Sequence, residues 1–434
     1  MLSLVIPALT LCLAEPPRVE WKVALRSDSV GSACIGPIDA DAVPEVIFGT
    51  SRAESRLLVL RGDTGAEVWS SEAAKGRFDA SCRLADVDAD GMPEIIAPLS
   101  SAGQVLAFDA ASGQRLWRAA APPGETIEGA PWVGMLEGRE HVVVATTSGR
   151  VLVIDAADGK VVYNLKVAAG PILAGPIVAD VSGTGILDVV IVTSGESSSV
   201  RCVDSRDGRE RWSFPLTARA TQGPALADLD ADGVPDLAIA TSDGVVTALN
   251  ARTGLPLWQT TAGEAGPVSP TVIADLDADG RPEVVAGGRH VSALASDGAV
   301  RWSVPSSDLD PRDAVVGGLA IADLDGDAVP DVAFVTAGGL FRVLSGRDGA
   351  VVSHLDVGAE VGQRAQGTAH GVTIADLTGD GRLDAFLVVG VRAASGDGAS
   401  GMAVCLSGFA GTGRGWPQAQ HDRSNTGNAG TPRD

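Results

Sequence analysis

Carboxylates recur in this chain at a spacing that suits a hard metal ion. In Asp228-Leu-Asp230-Ala-Asp232-Gly233-Val-Pro-Asp236, acids occupy positions one, three, five and nine of a short loop, with glycine at six. Alternate spacing lets these side chains converge if the backbone curls, and glycine permits the tight turn. Oxygen donors at this density suit Ca²⁺ better than zinc or copper, which prefer nitrogen and sulfur. Two further copies are complete: Asp86, Asp88, Asp90 and Glu94 around Gly91, and Asp275, Asp277, Asp279 and Glu283 around Gly280. A fourth, Asp323, Asp325, Asp327 and Asp331, has Ala328 in place of the glycine, and a fifth, Asp376, Asp380 and Asp384, has Thr378 at position three. The Asp180–Asp188 copy keeps only two carboxylates, and the first copy, with Pro37, Asp39, Asp41 and Glu45, has lost its first ligand. Acids this close repel one another unless a cation neutralises them, which favours metal binding over a mere turn-forming role.

The segments that position these loops are short strands. An EF-hand would need a bidentate Glu at position twelve and flanking helices, but position twelve of the Asp228 loop is Ile239. Its flanks, Pro-Ala-Leu-Ala before and Leu-Ala-Ile-Ala after, read as buried strands. In that unit strand A is predicted over 224–228 and strand B over 235–241. Asp243-Gly244 then turns into strand C over 245–250, and Thr253-Gly254 into strand D over 255–260. An aromatic follows the C–D turn glycine by four residues in six units: Trp69, Trp117, Tyr163, Trp212, Trp258 and Trp302 after Gly65, Gly113, Gly159, Gly208, Gly254 and Gly298. After Gly349 the rule breaks, because Ser353 holds the aromatic position. One unit has no acidic loop: 132–136 and 141–146 are joined by Glu137-Gly-Arg-Glu140, so metal is an addition to the unit and not the reason it forms.

Eight such units at a pitch of about 48 residues predict an all-β, eight-bladed β-propeller of four-stranded antiparallel blades. The last unit supplies only strands A, B and C, while a surplus D-like strand carrying Trp21 sits at 19–25. Pairing that N-terminal strand with the last blade would close the ring and remove two exposed edges. The domain assignment is a signal peptide over 1–14, the propeller over 15–410 and a C-terminal tail over 411–434. The leader is apolar but lacks a basic n-region, and no later stretch could span a bilayer. Cys34, Cys82, Cys202 and Cys405 show no CxxC and fall in strands, reading as buried thiols with a Cys34–Cys82 bridge as the alternative. A net charge of −22 excludes nucleic-acid binding, and 45% hydrophobic content excludes disorder.

The Asp loops with their strands resemble FG-GAP/VCBS repeats, the calcium-bearing blades of integrin α-subunit propellers. The C–D segments, such as Val-Leu-Ala-Phe-Asp-Ala-Ala-Ser-Gly-Gln-Arg-Leu-Trp117, resemble the tryptophan-docking repeats of quinoprotein (PQQ) propellers. The FG-GAP resemblance implies several Ca²⁺ ions on the loop side chains named above, joined by main-chain carbonyls at position seven: Met92, Val234, Arg281, Val329 and Arg382.

Recognisable catalytic machinery is missing from the sequence. It holds no Gly-x-Ser-x-Gly elbow, no His-Glu-x-x-His, no nucleotide loop, and no adjacent-cysteine pair of the quinoprotein dehydrogenase kind. The reading is therefore a secreted, periplasmic or cell-surface calcium-binding scaffold, monomeric and non-catalytic, whose ligand is an extracellular protein or glycan. Its partner surface is assigned to the long loops over 305–316, with Asp308, Asp310, Arg312 and Asp313, and over 357–370, with Glu360, Arg364 and His370. The alternatives are a polysaccharide lyase-like enzyme, which needs Asp308, Asp313, Arg364 and His370 at one rim of a deep pocket, or an outer-membrane assembly or quinoprotein-like propeller.

Overall fold

A computed structural model describes residues 16–39, 41, 43–51, 55–195, 198–362, 365, 370–392 and 399–412. The predicted signal segment, the tail beyond residue 412 and Arg364 lie outside the described residues. Eight four-stranded antiparallel sheets are arranged as blades of a β-propeller. In the fifth blade the strands run Ala225–Ala227, Asp236–Ala240, Val245–Asn250 and Pro256–Thr261, each within a residue or two of its predicted span. The unit without an acidic loop forms a complete sheet, from Trp132–Leu136 to Val161–Lys166. Helix is confined, among the described residues, to Ser100–Ala102 and to Val357–Glu360, the latter opening one of the two long loops. No helix there is long and apolar enough to cross a membrane.

The N-terminal strand closes the ring. Arg18–Leu25 pairs antiparallel with Ala399–Ser407, from Arg18↔Ser407 to Leu25↔Gly401, and so becomes the outer strand of blade eight. Strands B and C are buried on both faces, as in Val46-Ile47-Phe48, because each small sheet packs between two neighbours. That explains their continuous apolar runs. At the seam of blades eight and one, Phe48 and Phe386 pack at 5.4 Å between centroids with their rings tilted by 40°, each 1% exposed or less. Burying one such ring contributes roughly 1.5–3 kcal/mol.

A second lock joins consecutive blades. The indole N–H groups of Trp21, Trp69, Trp117, Trp212, Trp258 and Trp302 donate to the carbonyls of Gly62, Ala110, Ala156, Ala251, Ser296 and Gly346 in the next blade, at 2.6–2.9 Å. Each ring also lies flat on that blade's C–D turn glycine. A Cβ on Gly65 (φ +69°) would lie 2.5 Å from the Trp21 ring, and one on Gly113 (φ +71°) 2.7 Å from Trp69. The glycines are thus fixed by both backbone conformation and close approach.

The Ser353 exception follows from this geometry. Blade seven would dock its aromatic on the C–D turn of blade eight, but blade eight has no such turn, because its strands C and D are the two ends of the fold. Residues 408–411 fill the gap instead. Phe409 packs against Phe341 at 6.0 Å, Ala410 N–H donates to the Leu324 carbonyl at 3.0 Å, and Leu383 N–H donates to the Gly411 carbonyl at 3.1 Å. The four cysteines in the described residues are buried thiols, so Cys34 and Cys82 form no bridge.

Candidate metal centres

Each acidic loop folds by the same hydrogen bonds, dictated by its sequence. Asp at position one accepts the position-six N–H: Gly91 to Asp86 at 3.0 Å, Gly233 to Asp228 at 2.9 Å, Gly280 to Asp275 at 2.9 Å, Ala328 to Asp323 at 3.0 Å and Gly381 to Asp376 at 2.9 Å. Asp at position five accepts the position-seven N–H, as in Met92 to Asp90, Val234 to Asp232, Arg281 to Asp279, Val329 to Asp327 and Arg382 to Asp380, all 2.8–2.9 Å. The carboxylate at position nine opens strand B and turns inward to accept the position-two N–H. Val87 donates to Glu94, Leu229 to Asp236, Leu276 to Glu283, Leu324 to Asp331 and Leu377 to Asp384, at 2.8–3.0 Å.

Positions four and six both take left-handed conformations. In the complete copies alanine bears the first of these, with Ala89, Ala231 and Ala278 at φ 61–62°. In the fourth copy the two residue types trade places: Gly326 stands at position four and Ala328 at six, with φ 81° and 69°. The missing glycine therefore costs that loop nothing in shape, since one alanine is strained in either arrangement.

These folds bring carboxylate oxygens to within 4.8 Å of one another in five groups: Asp39, Asp41 and Glu45; Asp86, Asp88 and Glu94; Asp228, Asp230 and Asp236; Asp275, Asp277 and Asp279; Asp323, Asp325 and Asp331. Asp90, Asp232 and Asp327 stay outside their groups, as do Glu283 and the carboxylates of the Asp376 loop. In that last loop Thr378 donates through both N–H and hydroxyl to Asp384 Oδ2, at 3.0 and 3.1 Å, and draws it aside. Burial, reinforced by the neighbouring acids, pushes Glu94 up to about 7, Asp236 to about 6 and Asp331 to about 8. Burial likewise raises Glu45, Glu283 and Asp384.

Arginines distinguish the blades, and the loop motif alone does not reveal them. Arg301 Nη1 lies 2.6 Å from Glu283 Oε1, while Nη2 pairs with Asp277. Arg211 pairs with Asp188 and, at 3.1 Å, with Asp204. Both arginines directly precede a docking tryptophan, a signal the sequence did hold. In blade one Arg61 contacts Asp41 at 2.8 Å and Asp63 at 3.0 Å. In the loopless blade the register of position nine belongs to His141, which faces Asp155 as Glu94 faces Asp109.

The acidic loops and C–D turns of the described residues open on one face, and the B–C and D–A loops, with Arg56, Arg77, Arg150 and Arg289, on the other. A cavity of about 290 Å³ opens among the D–A loops, lined by Asp79, Arg83, Glu128, Thr221 and Gln222 with many small residues. Its two carboxylates do not fit an anionic quinone cofactor, and no adjacent cysteines accompany them. Of the residues proposed for a lyase, Asp308, Asp313 and His370 do not line it, and Arg364 lies outside the described residues. His370 is fully buried, edge-on to Phe48 and Phe386, and its Nδ1 donates to the Gly371 carbonyl at 2.7 Å. Burial holds it down near 4. Asp313 Oδ1 accepts the N–H groups of Ala314 and Gly338, both 2.9 Å, and Asp308 stands 4.0 Å from Arg342.

The family profile of the outer membrane protein assembly factor BamB matches residues 101–184 and 196–424, well over half of the chain. Among curated proteins, the BamB of Burkholderia pseudomallei is 24% identical over 262 residues, covering 56% of this chain and 61% of its own length. That of Shewanella oneidensis is 26% identical over 238 residues, covering 51% of this chain and 55% of its own length. The match thus spans less than two thirds of either relative. Among solved structures, the V. cholerae biofilm matrix protein Bap1 superposes with a TM-score of 0.67 at 12% identity, over 95% of this chain and 96% of that one. At that identity the likeness concerns the fold alone.

Proposed function

Because the chain belongs to the family of the outer membrane protein assembly factor BamB, we propose that it is a non-catalytic scaffold that holds protein partners during outer-membrane assembly. The observation that carries this reading is the family match across most of a ring whose loops gather no catalytic set among the described residues. Partners dock on the face of the B–C and D–A loops, where Leu309 is 68% exposed beside Asp308, Asp310 and Arg312. The chain works as a monomer in the periplasm or at the cell surface.

On the opposite face, Ca²⁺ occupies the acidic loops, in keeping with their resemblance to FG-GAP/VCBS blades. In the Asp86, Asp228 and Asp323 loops three converging carboxylates, one of them buried, supply hard oxygen ligands, and the carbonyls of Met92, Val234 and Val329 complete them. The ion's role is structural. At ~1 mM Ca²⁺ and a Kd of ~0.1 mM, each occupied loop adds about 1.4 kcal/mol to stability.

Deleting the gene and quantifying outer-membrane β-barrel proteins tests the main reading; unchanged levels would count against it. Complementation with Leu309→Asp/Arg312→Glu is expected to fail, whereas Asp228→Asn/Asp230→Asn complements. Metal analysis of the purified chain tests the calcium assignment, and a chain without bound Ca²⁺ at 1 mM would refute it.

A further inference from the structure

We propose that blade one, whose loop has lost its first acidic ligand, holds a divalent cation between Asp39, Asp41 and Glu45, and that this ion braces the seam where the ring closes. The proposal rests on the reading that the acidic loops take calcium, and it extends that reading to a loop whose motif is broken.

Glu45 is the observation that points to a ligand. Its side chain is completely buried, with 0% exposure. Oε2 accepts the Ile38 N–H at 3.1 Å, but Oε1 is buried with no hydrogen-bond partner. A buried, unpaired carboxylate oxygen is costly, and a cation held between the three carboxylates relieves it. Carboxylate oxygens of Asp39 and Asp41 lie within 4.8 Å of Glu45's ligand atom and of each other. Arg61 does not supply the missing charge: its Nη1 reaches Asp41 Oδ2 at 2.8 Å, and its Nε and Nη2 are spent on Asp63, both 3.0 Å. Asp39 Oδ1 accepts the Asp41 N–H at 2.8 Å and Asp41 Oδ1 the Val43 N–H at 2.9 Å. Three carboxylates with water completing the shell suit a hard cation such as Ca²⁺, bound more weakly than where the first ligand is kept.

The location gives the ion a consequence. Gly62 N–H donates to the Pro44 carbonyl at 3.0 Å, beside Glu45, and the Gly62 carbonyl receives the Trp21 indole at 2.6 Å. Trp21 belongs to the closing strand, Arg18–Leu25. The cluster, Pro44, Gly62 and Trp21 therefore form one continuous path from the blade-one loop to the strand that completes blade eight.

The test is Ca²⁺ stoichiometry by equilibrium dialysis at 1 mM, together with hydrogen exchange over residues 18–25, on the full chain. Glu45→Gln is expected to lose one ion per chain, and so is Asp39→Asn/Asp41→Asn, which alters only surface loop positions. Chelation is expected to raise exchange of 18–25 several-fold in the native chain and to change nothing there in either variant. If Glu45→Gln keeps every ion, Glu45 ligates none and the proposal fails. If it fails while Asp228→Asn/Asp230→Asn still loses an ion, the calcium reading of the other loops survives; if no variant changes the count, both fall.

Discussion

The loops at 227–233 and 274–280 have the same sequence, Ala-Asp-Leu-Asp-Ala-Asp-Gly, and the same backbone, with Ala231 and Ala278 both at φ 61°. They differ in what faces them. In blade six Arg301 reaches across from strand D to pair with Asp277 and Glu283, whereas in blade five the corresponding residue is Leu257, half-buried against the core. Asp236 consequently gathers with Asp228 and Asp230, while Glu283 leaves its group for the arginine. Loop sequence sets shape; a residue some twenty positions away decides whether the charge is already balanced. A guanidinium and, on the calcium reading proposed above, a divalent ion are alternative solutions to one electrostatic problem.

That contrast can be broken or sharpened by experiment. Chelating all ions is expected to have the largest effect, about 4 kcal/mol if the Asp86, Asp228 and Asp323 loops each lose about 1.4 kcal/mol. A fall of several degrees in the thermal midpoint checks it, and Asp275→Asn/Asp277→Asn should contribute little to that fall. Next, Arg301→Leu is expected to lose about 1–3 kcal/mol in chelator, because Glu283 is left buried without its partner. The same variant should gain one tight Ca²⁺ site by dialysis, and Leu257→Arg should lose one.

The pH dependence follows, at about 1.4 kcal/mol per unit for each fully titrating group. In the metal-free chain Asp236, Glu94 and Asp331 have folded values near 6, 7 and 8, above their unfolded ones. Their contribution is complete below about pH 4 and is lost as pH rises through those values. Chelated protein should therefore melt higher at pH 6 than at pH 8. With Ca²⁺ present the order reverses, since protons compete for the ligands. The smallest expected effect is from Ala231→Gly and Ala278→Gly, each about 0.5 kcal/mol stabilising, as relief of left-handed strain slightly outweighs unfolded-state entropy. Equal shifts in the two blades would confirm that their backbones match.

The ring was legible because its units repeat: strand spans, the loopless blade and the borrowed N-terminal strand all follow from turn glycines and apolar runs. Three things were hidden, each for a physical reason. Ser353 looks like a lapse in the repeat, since an aromatic and the glycine it covers lie in different blades, and only the closed ring shows that its glycine is absent. The partners of Arg301 are hidden although its place before Trp302 is visible, because pairing across a sheet is not a local pattern. His370 suggested a catalytic candidate from its loop, yet the chain carries it inward to Phe48 and Phe386.

The junction of Arg18 with Ser407 also governs how the molecule would yield under tension. Both ends of the fold meet at one rung of an antiparallel ladder, so a pull on the termini loads hydrogen bonds one at a time, as in opening a zip, and never all together in shear. The ring is consequently weakest against traction along its own chain, with residues 408–411, held by the Leu324 and Leu383 contacts, as the catch that must slip first.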